Sequence, residues 1–333
     1  MKADFVFHGK PEDAPTAAVL AEEAGLDGFT VTETKHDAFI TLALAATRTS
    51  HIELVPAVAI AFARNPMTLA TMAYDVQRIS GGRFTLGLGS QIRPHITKRF
   101  SMPWSAPAKR MRELVLAVQA IWTSWQTGAH LDFRGEFYTH TLMTPAFDPG
   151  PLDVPSPSVV LAGVGPHMVA VAAEVADGLI CHPLISRDHL VEFVLPTVER
   201  VRRDHGRTEP FEMCGQIMVA SGRTEEELDA AVDATRKQIA FYASTPAYRS
   251  VLERHDLGWL QDELNALSKA GRWDDMAALI RDDILSLFAV AGEPAEVVAE
   301  LHRRFGGLLD RVSVSTAGGK SADVSLDILR GLA

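Results

Sequence analysis

The chain of 333 residues predicts a (β/α)8 TIM barrel with insertions, and three observations carry that expectation. Short β-branched or aromatic runs alternate with longer stretches of helical spacing, the pattern of βα units around a parallel sheet. Eight such runs occur, over a length that suits a barrel carrying insertions. An open doubly wound sheet would need GxGxxG after its first strand, but that junction reads "FHGKPEDAP". Neither "GLGSQI" (87–92) nor "GVGPHM" (163–168) supplies the third glycine.

The first strand is "DFVFHG" (4–9), followed by a helix over 11–24 with Pro11 near its start and Gly25 behind it. "GFTVTE" (28–33) is the second strand, with a helix through "AFITLALAATRT". "IELVPAVAI" (52–60) is the third, with a helix opening at "NPMTLATMAYDVQRIS". The fourth spans 84–88 within "RFTLGLGSQIR" and precedes a long helix, "APAKRMRELVLAVQAIWTSWQTG". A proline-rich excursion at about 130–157 lacks helical period and reads as an inserted ribbon or loop. Strands five to eight are "SVVLAGV" (158–164), "GLICHP" (178–183), "EMCGQIMVA" (212–220) and "RVSVST" (311–316), with helices beginning near Pro166, Ser186, Thr224 and Glu293. Residues 245–290 read as several short helices interrupting the last unit. The whole of 1–333 is expected to be one barrel domain.

Composition narrows the function. With 32 Lys+Arg against 42 Asp+Glu the formal net charge is −10, which lacks the basic face of a nucleic-acid binder. A small-molecule substrate is expected, with no nucleic-acid partner. Cys181 and Cys214 show no CxxC or Cys/His spacing, so neither a zinc site nor a disulfide framework is indicated and no metal is expected. The opening "MKADFVFHGKPEDAP" lacks the apolar run of a signal peptide. Runs such as "VPAVAIAFA" fall short of the roughly 20 residues of a membrane helix. A cytoplasmic protein with no membrane partner is expected.

A barrel places its active site at the C-terminal ends of the strands. Those ends are polar here: "TETKHD" after strand two, Ser90 and Gln91 after strand four with Arg93, His95, Lys98 and Arg99 behind, "GVGPHM" after strand five, and His182 after strand six. Gln216 and Ser221 lie near the end of strand seven, and Ser315 and Thr316 precede "GGK" after strand eight. Several have plain structural readings. Arg93, Lys98 and Arg99 equally suit a solvated loop, Gly163 and Gly165 a turn into a helix, and His182 before Pro183 reads as structural. His36 is the expected acid or base, because histidine titrates near neutrality.

The runs "AVAIAFARNP" (57–66), "SGGRFTLGLGSQ" (80–91) and "AAEVADGLICHP" (172–183) resemble the bacterial-luciferase-like flavin and deazaflavin oxidoreductases. The resemblance covers nearly the whole chain. "ETKHDAF", "AFARNPMTLA" and "GLGSQIRPHITKRFSMPW" are similar to the branch that uses coenzyme F420, a 5-deazaflavin. It implies a (β/α)8 barrel with an insertion before the last strand, a non-proline cis peptide at Ala57 and Val58 under the ring, and small residues at Gly87 and Gly89 that give the ring room. It also implies Ser90, Gln91 and His95 near the cofactor, and a phosphate seat at Gly163, Val164, Gly165, Pro166 and His167.

The expected activity is hydride transfer between the deazaflavin C5 and a small organic substrate, in a homodimer or higher homo-oligomer. The alternatives are an FMN-dependent monooxygenase using O2, and a non-catalytic ligand-binding barrel. Many members carry an Asp-His or Glu-His pair after strand two. Here Glu33 and His36 are separated by Thr34 and Lys35, so which lies nearest the reactive carbon stays open. His36 is assigned the substrate side and Glu33 orientation.

Overall fold

A computed structural model describes residues 1–317 and 322–333. Its principal sheet is built from β1 (Lys2–Phe7), β2 (Gly28–Val31), β3 (Glu53–Pro56), β4 (Ala59–Ile60) and β5 (Thr85–Gly89). A small ribbon, β6 (Phe133–Arg134) and β7 (Thr139–His140), precedes β8 (Ser158–Gly163), β9 (Gly178–Cys181), β10 (Glu212–Ser221), β11 (Ala289–Gly292) and β12 (Arg311–Thr316). The order is β3-β2-β1-β12-β10-β9-β8-β5-β4, parallel throughout. The two ends of that path are halves of one chain segment, and Leu54 bridges to Phe84 between them. The sheet therefore closes into the expected eight-stranded barrel.

The third expected strand is split in two. Its first half pairs with β2 and its second with β5, and the break falls at Ala57–Val58, whose peptide is cis as the family likeness implied. β11 was not foreseen: "AVAG" is four small residues directly after a helix, too short to show a period of two. It pairs with Met218–Ser221 of β10, beyond the stretch where β9 pairs.

Side-chain caps fix the helix starts at the barrel mouth. Asp37 Oδ1 accepts from Ile40 N–H at 2.9 Å, Asn65 Oδ1 from Thr68 N–H at 2.9 Å, and Thr224 Oγ1 from Glu227 N–H at 3.2 Å. Glu293 and Glu296 form a capping box. Each satisfies an orphan donor at a helix start.

The main core joins the strands to the outer helices, with Phe29, Leu54, Phe84, Leu86 and Leu88 fully buried. A second apolar cluster lies under the 245–290 stretch, where helices Arg249–Glu253, Gly258–Lys269, Trp273–Ala278 and Asp282–Phe288 pack on helix Glu225–Ala243 through Ile239, Leu252, Leu260, Leu264 and Ile284. Leu184 and Met218 tie it to the barrel. Among the described residues, no helix is long and apolar enough to cross a membrane.

Candidate active site at the barrel mouth

Alternation along each strand sends every second side chain inward. Asp4, Thr30, Ile180, Gln216, Arg311 and Ser313 line a cavity of about 50 Å³ inside the barrel. Two residues further on, the same faces present Val6, Thr32, His182, Met218 and Ser315. Four residues beyond Asp4 comes His8, whose Nδ1 lies 2.9 Å from Thr32 Oγ1. The mouth is thus lined by His8, Thr32, His182 and Ser315, a layer above the cavity.

The floor below is charged. Arg311 pairs with Asp4 at 2.6 Å, with Glu53, and with Glu212 at 3.4 Å, while Lys2 reaches Glu53 at 2.9 Å and Glu212 at 3.2 Å. Three carboxylates thus surround two cations, with Asp4 and Arg311 buried and Lys2, Glu53 and Glu212 partly exposed. Burial first, and the neighbouring carboxylates with it, outweigh Arg311 and push Asp4 up to about 7. Gly28 makes room for this pair, since a Cβ there would lie 2.2 Å from Asp4 Oδ1 and 2.6 Å from Arg311 Nη1.

After β2, Glu33 is spoken for on both oxygens. Its Oε2 accepts from Ile60 N–H at 2.6 Å and from Arg64 Nη1 at 2.8 Å, and its Oε1 accepts from Arg64 Nη2. The same Nη2 donates to Asp37 at 2.8 Å, and the guanidinium stacks over Phe39. Burial pulls the Arg64 pKa down, but the two carboxylates outweigh it and raise it. This knot staples the end of β2 to the bulged third strand. Three residues on, His36 is exposed and makes no hydrogen bond among the described residues.

Gly87 and Gly89 have an explanation inside the protein. A Cβ at Gly87 would lie 2.0 Å from the Pro56 carbonyl oxygen, and one at Gly89 would lie 2.4 Å from Val58 Cγ2. The bulge of the third strand occupies the space these glycines leave. Beyond them, Ser90 donates to the Gln91 carbonyl at 3.1 Å, and Gln91 adopts φ 59°, with its Oε1 accepting from Ile92 N–H at 3.0 Å. His95 opens a single wide turn, His95–Arg99, anchored by buried Ile96. Arg99 donates to the Thr34 carbonyl at 2.8 Å, which joins this loop to the one after β2. Arg93, His95 and Lys98 are exposed.

After β8, Gly163 is crowded by Leu179 and the turn at Met168–Val169, whereas the space around Gly165 is open. Gly165 is the N-cap of helix Pro166–Val175 and supplies no side chain, unlike the capped helices at 38, 66, 225 and 294. Pro166 has no N–H, and His167 stands exposed beside it. The helix dipole here ends on bare backbone facing open space.

His182 directly follows β9. Its ring stacks on Tyr248 with centroids 4.1 Å apart and planes at 26°, and meets Tyr242 edge-on at 4.7 Å and 79°. Leu184 N–H donates to its Nδ1 at 3.1 Å, so the neutral ring carries its proton on Nε2. Nε2 makes no hydrogen bond among the described residues. Burial lowers its pKa to about 3. From sequence this residue stands at the end of strand six and reads as structural, and its period of two from Ile180 marks an inward position. Tyr242 and Tyr248 carried no local signal, because helix Glu225–Ala243 and the start of the 245–290 stretch bring them in from 60 or more positions along the chain. The "GGK" segment after β12 lies outside the described residues. Among the described residues, no group of three or more His, Cys, Asp or Glu is placed to hold a metal ion.

The comparisons agree with this architecture. A coenzyme F420 dependent tetrahydromethanopterin reductase from Methanopyrus kandleri superposes with a TM-score of 0.77 at 20% identity, over 99% of this chain and 96% of its own. An uncharacterized protein of Mycobacterium tuberculosis is 51% identical over 94% of this chain and 92% of its own length. A 5,10-methylenetetrahydromethanopterin reductase of Archaeoglobus fulgidus is 26% identical over 85% of this chain and 83% of its own. The luciferase-like monooxygenase model matches residues 6–311. A closed parallel barrel, a bulged third strand with a cis peptide and a polar mouth thus belong to a chain that is a member of the luciferase-like monooxygenase family.

Proposed function

We propose that this chain is an F420-dependent oxidoreductase that exchanges a hydride with a small organic substrate at the barrel mouth. The carrying observation is the bare N-terminus of helix Pro166–Val175, where Gly165 leaves open space that the side-chain caps of neighbouring helices fill. Such a terminus suits the phosphate of a nucleotide-like cofactor. Arg93 and Lys98, exposed and without an ion pair among the described residues, suit a polyanionic tail on an otherwise acidic protein. The relative from Archaeoglobus fulgidus and the structure from Methanopyrus kandleri bear names of F420 chemistry, which supports the same reading.

When bound, a 5-deazaflavin supplies a carbon centre that gives or takes a hydride without activating O2. The chain's own residues do the rest. Backbone at Ala57 and Val58 forms the shelf, held by the Glu33–Arg64 staple, so Glu33 acts as a positioning residue. Gly163 to His167 hold the phosphate, and Ser90, Gln91 and His95 border the shelf. His36, exposed and uncommitted, manages the substrate's proton.

Titration tests this. Coenzyme F420 is expected to bind at least tenfold more tightly than FMN, a difference of about 1.4 kcal/mol. Tighter FMN binding, or a flavin that copurifies, would overturn it.

A further inference from the structure

We propose that His189 is the proton-carrying partner of the anion seat at helix Pro166–Val175: an oxyanion bound at that bare N-terminus brings a proton onto His189 and is held by the charge so created. That the anion is the coenzyme's phosphate rests on the oxidoreductase reading. The pairing of anion and proton rests on the surroundings of His189.

Two neighbouring helical stretches open at the mouth, one after β8 with Gly165 as its N-cap and one after β9 with Ser186 as its N-cap, and their later turns pack side by side. His189 lies in the first turn of the second, where its backbone N–H donates to Ser186 Oγ at 3.1 Å. Its side chain is buried, 5.0 Å from Phe193 between ring centroids and beside the carbonyl of Val164, the residue directly before the Gly165 cap. Neither ring nitrogen has a hydrogen bond of good geometry among the described residues. A buried imidazole without partners costs stability that an apolar side chain in the same space would not, so this one points to a group that the folded chain does not itself supply.

The 245–290 stretch brings two more basic residues toward the ring. Arg254 lies over the same Phe193 at 5.4 Å and meets Glu192 at 3.4 Å, and His255 Nε2 lies 2.8 Å from Ser186 Oγ. Arg187, Asp188 and Glu192 on the ring's own stretch, and His167 at the seat, are exposed. Burial first, then Arg254 and His255, outweigh the Val164 carbonyl and lower the pKa of His189 to about 4, so without an anion the ring is neutral at pH 7. An anion at Gly165 adds the negative charge that these neighbours lack. One opposite charge close by raises a histidine's pKa by roughly 1 to 3, which takes His189 to about 6 in the bound state. By linkage the anion binds more tightly as pH falls through about 6, and the gain levels off below about 4, where the free protein is protonated as well.

Sulfate is the first probe, because it takes up no proton of its own near neutrality. The His189 resonance in 15N-histidine-labelled protein, identified by its ring contact with Phe193, is expected to titrate at a pH about two higher in sodium sulfate than in sodium chloride of equal ionic strength. Sulfate should bind at least about threefold more tightly at pH 5.5 than at pH 8, and His189→Gln should keep the pH 8 affinity and lose that dependence. Gly165→Asp, which plants a carboxylate at the seat, should raise the His189 pKa with no sulfate present and abolish the response to it. Coenzyme F420 is the second probe. Calorimetry at pH 6 in buffers of different ionisation enthalpy should show about half a proton more taken up by wild type than by His189→Gln, a difference in which the coenzyme's own titration cancels. The wild-type titration in the two salts stands on its own should a variant fail to fold. A His189 pKa that moves no further in sulfate than in chloride, or a folded His189→Gln that keeps the wild-type pH dependence, would overturn the proposal. A sulfate response without F420 binding would defeat only the coenzyme reading, and F420 binding with no change at His189 would defeat only this one.

Discussion

Single residues at the mouth divide into those already committed and those free to act. Glu33 and Arg64 are committed: their side chains are only 10% and 13% exposed, and each is the other's main partner. Removing one leaves the other charge buried and alone, which destabilises by about 3–5 kcal/mol in comparable pairs. Arg64→Ala should therefore lower the urea midpoint and weaken F420 binding together, because the bulge loses its staple. His36 is uncommitted, so His36→Ala should lower turnover by about 10² to 10⁴-fold, the usual contribution of a positioned acid or base, with coenzyme affinity nearly unchanged. Loss of coenzyme binding in that variant would place His36 in the cofactor's seat instead. At Gly87 the constraint is steric. A methyl 2.0 Å from the Pro56 carbonyl has nowhere to go, and Gly87→Ala should destabilise by about 1–3 kcal/mol in urea unfolding.

At the scale of one element, helix Pro166–Val175 offers a test in which stability and binding move apart. Gly165 has φ −82° and open surroundings, so an aspartate fits there without strain. Asp is a good N-cap, and relative to Gly it should leave stability unchanged or raise it by about a few tenths of a kcal/mol. The same carboxylate would stand where the phosphate is proposed to sit. Gly165→Asp should therefore keep or raise the melting temperature while weakening F420 at least tenfold. Unchanged coenzyme affinity would remove this helix from the site.

Across the whole molecule, ion pairs gather at both ends of the barrel. One cluster lies at the floor around Arg311, and another, Glu33–Arg64–Asp37, lies at the mouth after β2. The floor imposes a pH dependence whose sign follows from Asp4. Its pKa rises from 3.8 to about 7 on folding, so the folded chain holds that proton more tightly than the unfolded one. The associated stability is present below about pH 4 and is lost as pH rises through about 7. Asn is neutral throughout, so the stability of Asp4→Asn relative to wild type should improve between pH 5 and pH 8, read by urea unfolding at both. A gap constant across that range would mean Asp4 stays ionised.

The amino-acid sequence by itself determined the barrel. Local periodicity marks each strand and helix, and the caps at Asp37, Asn65, Thr224 and Glu293 are readable because capping is local chemistry. The run "RVSVST" fell on β12 at both ends. The break in the third strand came from family likeness, since nothing in "ELVPAVAI" alone divides it. Only the tertiary structure decided how side chains are used. Glu33 looked like a partner for His36, but its oxygens are taken by Arg64 and the Ile60 amide, 31 and 27 positions away. The partners of His182 are Tyr242, from helix Glu225–Ala243, and Tyr248, from the 245–290 stretch, and the sequence around His182 names neither. The reason is physical: backbone preference is set by near neighbours in the chain, whereas a side chain's charge, tautomer and partners are set by what the closed barrel packs beside it.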